Sequence, residues 1–161
     1  MSAGGGPIAK QGEPRDKAPG TIEVIARGVL TRGDRVLLCR SLLRGYVYLP
    51  GGHVEFGEPA RAALVREVEE ELGVSLKAGE FLGLLEHAFR DAGGAHAELN
   101  ILFRLHGEVG TLRSREPEIA FFWAPLSELG SLPLLPQALV SLLPRWLEDP
   151  SSSRFASSAA A

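Results

Sequence analysis

The residues best equipped for chemistry lie in one short stretch, Arg66-Glu67-Val68-Glu69-Glu70-Glu71, just ahead of Leu72-Gly73. On a helix turning about 100° per residue, Glu71 falls about 40° to one side of Glu67 and Glu70 about 60° to the other. Those three carboxylates share a face. Leu64, Val68 and Leu72 cluster about 100° away, a stripe fit to pack on a sheet, while Glu69 falls near 200°, toward solvent. Like charges at i, i+3 and i+4 repel weakly in water and more strongly in a cleft, unless a cation intervenes or a pKa rises. Hard divalent cations such as Mg²⁺ take oxygen ligands, keep several waters and borrow phosphate oxygens from a substrate. Arg66, about 40° from Glu70, is placed to orient a carboxylate without occupying a metal position. A charge run on an amphipathic helix is, taken alone, usually a solvated face. Its surroundings decide the reading.

The element that presents the acids is a helix over Pro59 to Leu72, with proline in its first turn, alanine and leucine inside, and Gly73 just after it. Ahead of it runs a glycine-rich loop, Gly51-Gly52-His53-Val54-Glu55-Phe56-Gly57-Glu58. Upstream, the branched apolar runs Ile22–Leu30 and Arg35–Arg40 flank Gly33-Asp34, which predicts a hairpin. Tyr46–Leu49, Phe81–Phe89, Leu99–His106 and Ile119–Trp123 read as further strands, and Pro136–Leu143 as a second helix that can continue past Pro144 to Leu147. Strands before, between and after helices indicate a mixed α/β domain over residues 21–148. Residues 1–20, rich in glycine and proline, read as a flexible arm, and 149–161, mostly serine and alanine, as a disordered tail.

Composition excludes several classes. At 161 residues, one domain is the natural expectation, and 45% hydrophobic residues suffice for a core. Seventeen basic against 20 acidic residues give a net charge of −3, so no basic excess points to DNA or an anionic membrane. No apolar run reaches the roughly 18 residues of a spanning helix. A single cysteine, Cys39, forms no internal disulfide and suits a reducing compartment, so a cytoplasmic location is expected. Cys39 reads as a small buried hydrophobe. Arg40 ends an apolar strand and can reach a substrate phosphate as a guanidinium fork. His87, His96 and His106 lack metal-ligand spacing, and Tyr48 and Phe89 read as core aromatics, with base stacking as the alternative. Arg90–Ala97 reads as a flexible loop between strands, able to close over a substrate.

The span Gly52 to Val74 resembles the Nudix box: Gly, five residues, Glu, seven residues, then Arg-Glu-aliphatic-x-Glu-Glu-x-Gly-aliphatic. Gly52, Glu58, Arg66-Glu67-Val68, Glu70-Glu71 and Gly73-Val74 fill every specified position. The resemblance extends upstream through Leu49-Pro50-Gly51 and downstream to Trp123-Ala124-Pro125-Leu126. It implies a Nudix-type α/β/α sandwich with a mixed β-sheet and the box as a loop–helix–loop. It implies a hydrolase that cleaves a nucleoside diphosphate linked to another group, using Mg²⁺ or, as a substitute, Mn²⁺. Carried over, Glu67, Glu70 and Glu71 would hold the metal and Glu58 would support or join its shell. Arg66 would orient the glutamates, and Gly51 and Gly52 would offer backbone to the phosphate, Gly52 also to the ion. A general base outside the box is also implied; Glu118 is the favoured candidate and Glu116 the alternative.

A catalytically inactive Nudix-fold binding or regulatory module is the competing reading. Members that lost catalysis usually show a damaged box, and this box is intact. No proline stands about 15 residues beyond it, as in ADP-ribose hydrolases, and the NADH-group run is missing. The substrate therefore stays open among nucleoside diphosphate derivatives. Dimerisation is common in the family, which leaves a homodimer as an expectation.

Overall fold

A computed structural model describes residues 21–159. The expected arm over residues 1–20 lies outside them.

The branched run from Ile22 forms β1 (Ile22–Val29), which alternates its side chains between two packed faces. β1 lies inside a five-stranded mixed sheet ordered β5-β1-β7-β6-β9, with β5 (Gly51–His53), β6 (Lys77–Asp91), β7 (Gly94–His106) and β9 (Phe155–Ser157). β1 runs parallel to β7 and antiparallel to β5. A second sheet contains β2 (Thr31–Arg32), β3 (Arg35–Ser41), β4 (Val47–Tyr48) and β8 (Ile119–Pro125).

Helices close both faces. α1 (Ala60–Leu72) buries Ala63, Leu64, Val68 and Leu72 against Ala26, Phe103 and Leu105 of the first sheet and Leu37 of the second. α2 (Leu139–Glu148) buries Leu139, Leu143 and Trp146 against Val29, Leu85 and Leu102 on the opposite face, with Val36 and Leu38. The apolar stripe expected on the first helix is thus its packing face, each such leucine or valine contributing about 1.5–3 kcal/mol. The result is an α/β/α sandwich. Among the described residues, no helix is long and apolar enough to cross a membrane.

Four expectations change. The Gly33-Asp34 turn does join a hairpin, but its first arm is β2 alone, because the strand entering from Ile22 changes sheets at Leu30. Arg90–Ala97 is not a loose loop: β6 and β7 pair to the end, Asp91 with Gly94, around a two-residue turn. The tail, expected to be disordered, contains a strand among its described residues. Its β9 adds to the edge of β6, Leu84 pairing with Phe155 and Glu86 with Ser157. Arg154 explains the order, donating to the carbonyls of Leu82 (3.2 Å), Trp146 (2.6 Å) and Asp149 (3.3 Å). The second helix begins at Leu139 and runs through Pro144, with buried Trp146 anchoring its end.

Candidate active site

α1 is fixed at both ends by the elements that flank it. Its last turn closes on Gly73 in the left-handed conformation (φ 72°), whose N–H donates to Glu69. The loop before β8 docks on that turn, the Arg115 N–H donating to the Glu71 carbonyl at 2.7 Å. That contact carries Glu116 to the acidic face. At the other end, β5 pairs with β1, Arg27 opposite Gly51 and Ala26 opposite Gly52. Gly52 then lies so close to α1 that a Cβ on it would stand 2.4 Å from the Glu67 Cδ. Any side chain there would push the Glu67 carboxylate out of its place.

Arg66 organises the carboxylates. Its Nε and Nη2 each donate at 2.9 Å to the two oxygens of Glu58, a two-pronged pair. Nη1 donates to Glu67 at 2.8 Å and stands 3.6 Å from Glu70, and Nη2 reaches the His53 carbonyl at 3.2 Å. The hydrogen bond from Arg66 pulls the Glu58 carboxyl down to about 2, with help from the Glu55 N–H. The same pairing with Glu58 raises Arg66, which stays cationic at every working pH. Arg66 therefore ties the loop end at Glu58 to two of the three helix acids. Arg66 and Glu70 also line a groove of about 660 Å³ along the flank of α1, with Arg115 on its far wall.

Glu71 is the discordant member. Burial pushes its carboxyl up to about 8; repulsion from Glu67, then Glu116 and Glu70, adds to this, and Arg27 opposes it. Its Oε2 is sealed from solvent and has no hydrogen-bond partner among the described residues. A buried carboxylate oxygen without a donor, faced by three other acids, is unfavourable until a positive charge arrives. The donor set is all oxygen, as a hard divalent cation requires. Among the described residues, no three His, Cys, Asp or Glu side chains are brought together closely enough to hold a metal ion by themselves. Arg66 draws Glu67 and Glu70 to itself. The orphaned oxygen and the bare Gly52 backbone beside Glu67 fit a metal ion.

The structure separates the remaining sequence candidates. Glu116 acts electrostatically on Glu71. Glu118 holds the neighbouring loop through its carbonyl, which accepts from the Leu42 N–H at 2.8 Å. Arg40 lies 5.2 Å over the Phe122 ring and donates to the Gly45 carbonyl, away from the box glutamates. Gly51 joins the site through its carbonyl, which accepts from Arg27 Nη1 at 3.4 Å.

Two residues escaped the sequence reading. Arg27 is the cation facing Glu71; it also donates to the Leu49 carbonyl at 3.1 Å and lies over Tyr48 at 5.4 Å. Asn100, fully buried, sits 3.5 Å from Arg27 Nε. The available signal was one polar residue inside each of the apolar runs Ile-Ala-Arg-Gly-Val and Leu-Asn-Ile-Leu.

The family profile described as "NUDIX domain" matches residues 22–146. "Uncharacterized Nudix hydrolase YvcI" of Bacillus subtilis is 27% identical over 116 residues, covering 71% of this chain and 73% of that protein. "ADP-ribose pyrophosphatase" of Methanocaldococcus jannaschii is 33% identical over 117 residues, covering 70% of this chain and 65% of that protein. Among solved structures, the MutT protein of Methanosarcina mazei superposes with a TM-score of 0.70, covering 84% of this chain and all of that one at 19% identity.

Proposed function

The chain belongs to the Nudix family, and we propose that it is a Mg²⁺-dependent pyrophosphohydrolase acting on a nucleoside diphosphate linked to another group. The observation that carries this reading is the orphaned Glu71 oxygen on the acidic face of α1, beside an arginine-held Glu67 and Glu70. ADP-ribose, in the name of the Methanocaldococcus relative, is one compound of that class. A soluble cytoplasmic enzyme, with Mn²⁺ able to replace Mg²⁺ and a homodimer as its expected assembly, completes the proposal.

Glu67, Glu70 and Glu71 would hold the metal, with Glu58 and the Gly52 backbone in support. When bound, a divalent cation neutralises diphosphate charge and lowers the pKa of a coordinated water. The chain's own residues do the rest. Arg66 holds Glu67 and Glu70 in place from its two-pronged anchor on Glu58, so the acidic face is organised in advance. Gly51 and Gly52 keep the loop backbone open to the phosphates. Water attacks one phosphorus in line while the other phosphate leaves, a reaction governed by positioning and electrostatics. The proton of that water goes to a loop acid. Glu116 is favoured over Glu118 because its charge acts on the acidic face, so Glu116→Gln is expected to cost more turnover than Glu118→Gln.

The test is product release from nucleoside triphosphates, nucleoside diphosphate sugars and dinucleoside polyphosphates with Mg²⁺, Mn²⁺ or EDTA, run in ¹⁸O-water. Cleavage at a pyrophosphate bond, ¹⁸O in one product phosphate and loss of activity in EDTA are expected. No turnover of any such compound with either metal would instead support a non-catalytic binding module.

A further inference from the structure

Among the described residues, Asn100 is the only polar residue that is wholly buried. It stands in β7 between Leu99 and Ile101-Leu102-Phe103, where a leucine would pack with no amide to satisfy. A buried amide is tolerated where it is hydrogen-bonded, and both of its ends have a partner. Nδ2 donates to Glu98 Oε2 at 3.2 Å, and Oδ1 accepts from Arg27 Nε at 3.5 Å. The parallel register of β1 and β7, Ile25 with Asn100 and Arg27 with Leu102, puts Arg27 and Asn100 on one face of the sheet, one step apart.

The far end of Arg27 grips the turn ahead of the box. Its Nη1 donates to the Leu49 carbonyl at 3.1 Å and to the Gly51 carbonyl at 3.4 Å, and the Gly28 N–H donates to the Pro50 carbonyl at 2.8 Å. β1 thus holds three successive carbonyls of the turn. The turn lies tight against the strand: Gly51 sits at φ 127°, and a Cβ on it would stand 2.0 Å from the Ala26 carbonyl oxygen. A shift of this turn moves Gly52, whose backbone is packed against the Glu67 side chain.

Reaching two carbonyls and an amide oxygen at once takes a planar fork whose donors point in fixed, different directions. Arginine has that fork, and the single ammonium of lysine does not. The guanidinium carbon lies over the Tyr48 ring at 5.4 Å, and its charge acts on Glu71. Arg27 therefore touches the turn that presents Gly52 and also opposes the crowding of acids at Glu71. Asn100 removes the freedom of its stem, and Glu98 holds Asn100 from behind.

We propose that Arg27, seated by Asn100, is a positioning residue for the hydrolysis: it sets the Leu49–Gly51 turn, and through it the Gly52 backbone, against the acidic face of α1. The proposal rests on the reading of that face as the catalytic centre. Arg27 acts through the turn and not on the substrate. Its loss therefore lowers the rate of the chemical step and leaves substrate affinity largely intact. A misplacement of about 1 Å is enough to cost about a hundredfold in a reaction governed by placement. Asn100 acts one step further back, by fixing where the arginine fork points.

The experiment measures kcat and KM of the full chain with Mg²⁺ for ADP-ribose, GTP, ATP, CTP and UTP in wild type, Arg27→Lys, Arg27→Met and Asn100→Leu. In parallel, amide exchange of the same proteins in EDTA is followed by NMR at two positions. Gly28 donates to the Pro50 carbonyl of the turn, and Leu37 donates to the Leu30 carbonyl away from it. In Arg27→Met, kcat should fall at least about tenfold for every compound cleaved, with KM close to the wild-type value, and Arg27→Lys should recover part of the loss. Asn100→Leu should lower kcat in the same way but less. The Gly28 amide should exchange much faster in Arg27→Met and Asn100→Leu while Leu37 keeps its protection. Unchanged kcat in Arg27→Met, a loss carried by KM alone, or equal acceleration at Gly28 and Leu37 overturns the proposal. Should Arg27→Met not fold, Arg27→Lys and Asn100→Leu carry the same comparison. If the wild type cleaves none of these compounds, the reading of the substrate has failed and the exchange arm decides alone; unchanged Gly28 exchange, or equal acceleration at both amides, then overturns the hold of Arg27 on the turn.

Discussion

Replacing Glu71 by glutamine removes an acid whose carboxyl is pushed to about 8, from the 4.5 of a free glutamate. Between those values the folded cation-free protein keeps a proton that the unfolded chain has lost, so stability falls as pH rises through the window. At about 1.4 kcal/mol per pH unit, the full effect at pH 8 is on the order of 4–5 kcal/mol. For a chain of this size that is a Tm change of roughly 10 °C. Glutamine keeps the volume and does not titrate. In EDTA, Glu71→Gln should therefore match the wild type near pH 4.5 and melt well above it at pH 8. Mg²⁺ should raise the wild-type Tm at pH 8 and leave the variant almost unmoved, while turnover in the variant collapses. Scanning calorimetry at both pH values, with EDTA and with Mg²⁺, supplies all four numbers. Equal pH dependence in the two proteins would refute the account of Glu71 as a buried acid awaiting a cation.

Glu70→Gln should lower turnover by orders of magnitude with an unchanged circular dichroism spectrum, since glutamine lacks the anion that holds a cation. Glu69→Gln should do far less, and a comparable loss there would mean that the acidic face is drawn in the wrong phase. Gly52→Ala places a methyl 2.4 Å from the Glu67 Cδ and must displace that carboxylate; it should cost at least tenfold in kcat/KM with little change in stability, read by steady-state kinetics and denaturation. Arg154→Ala removes the three carbonyl contacts that seat β9. The Leu84 amide, which donates to the Arg154 carbonyl at 2.7 Å, should then exchange with solvent much faster, and unchanged protection would count against the role of Arg154.

The box helix was legible because its information is local. Turning 100° per residue places Glu67, Glu70 and Glu71 together and Leu64, Val68 and Leu72 apart, and α1 packs by that stripe. The angle between Arg66 and Glu70 predicts an orienting role, but the shorter bonds of Arg66 are to Glu58 and Glu67. The bond to Glu58 closes across the loop, where helical geometry says nothing. Strand positions were legible and their sheets were not, since periodicity does not reveal that the chain changes sheets at Leu30. The tail looked too polar to order, yet three backbone acceptors and one arginine suffice to add β9 to an existing edge. Arg27 and Asn100 stood out least, because the two meet only through the parallel pairing of β1 and β7, across 73 residues of chain.

Manganese uptake followed by electron paramagnetic resonance bears most directly on the acidic face as the seat of a catalytic cation. The wild type should bind Mn²⁺, release it to Mg²⁺ in competition, and lose most of that uptake in Glu70→Gln and Glu71→Gln. A wild type that takes up no Mn²⁺, with or without a nucleotide present, or variants that take it up undiminished, would contradict the account.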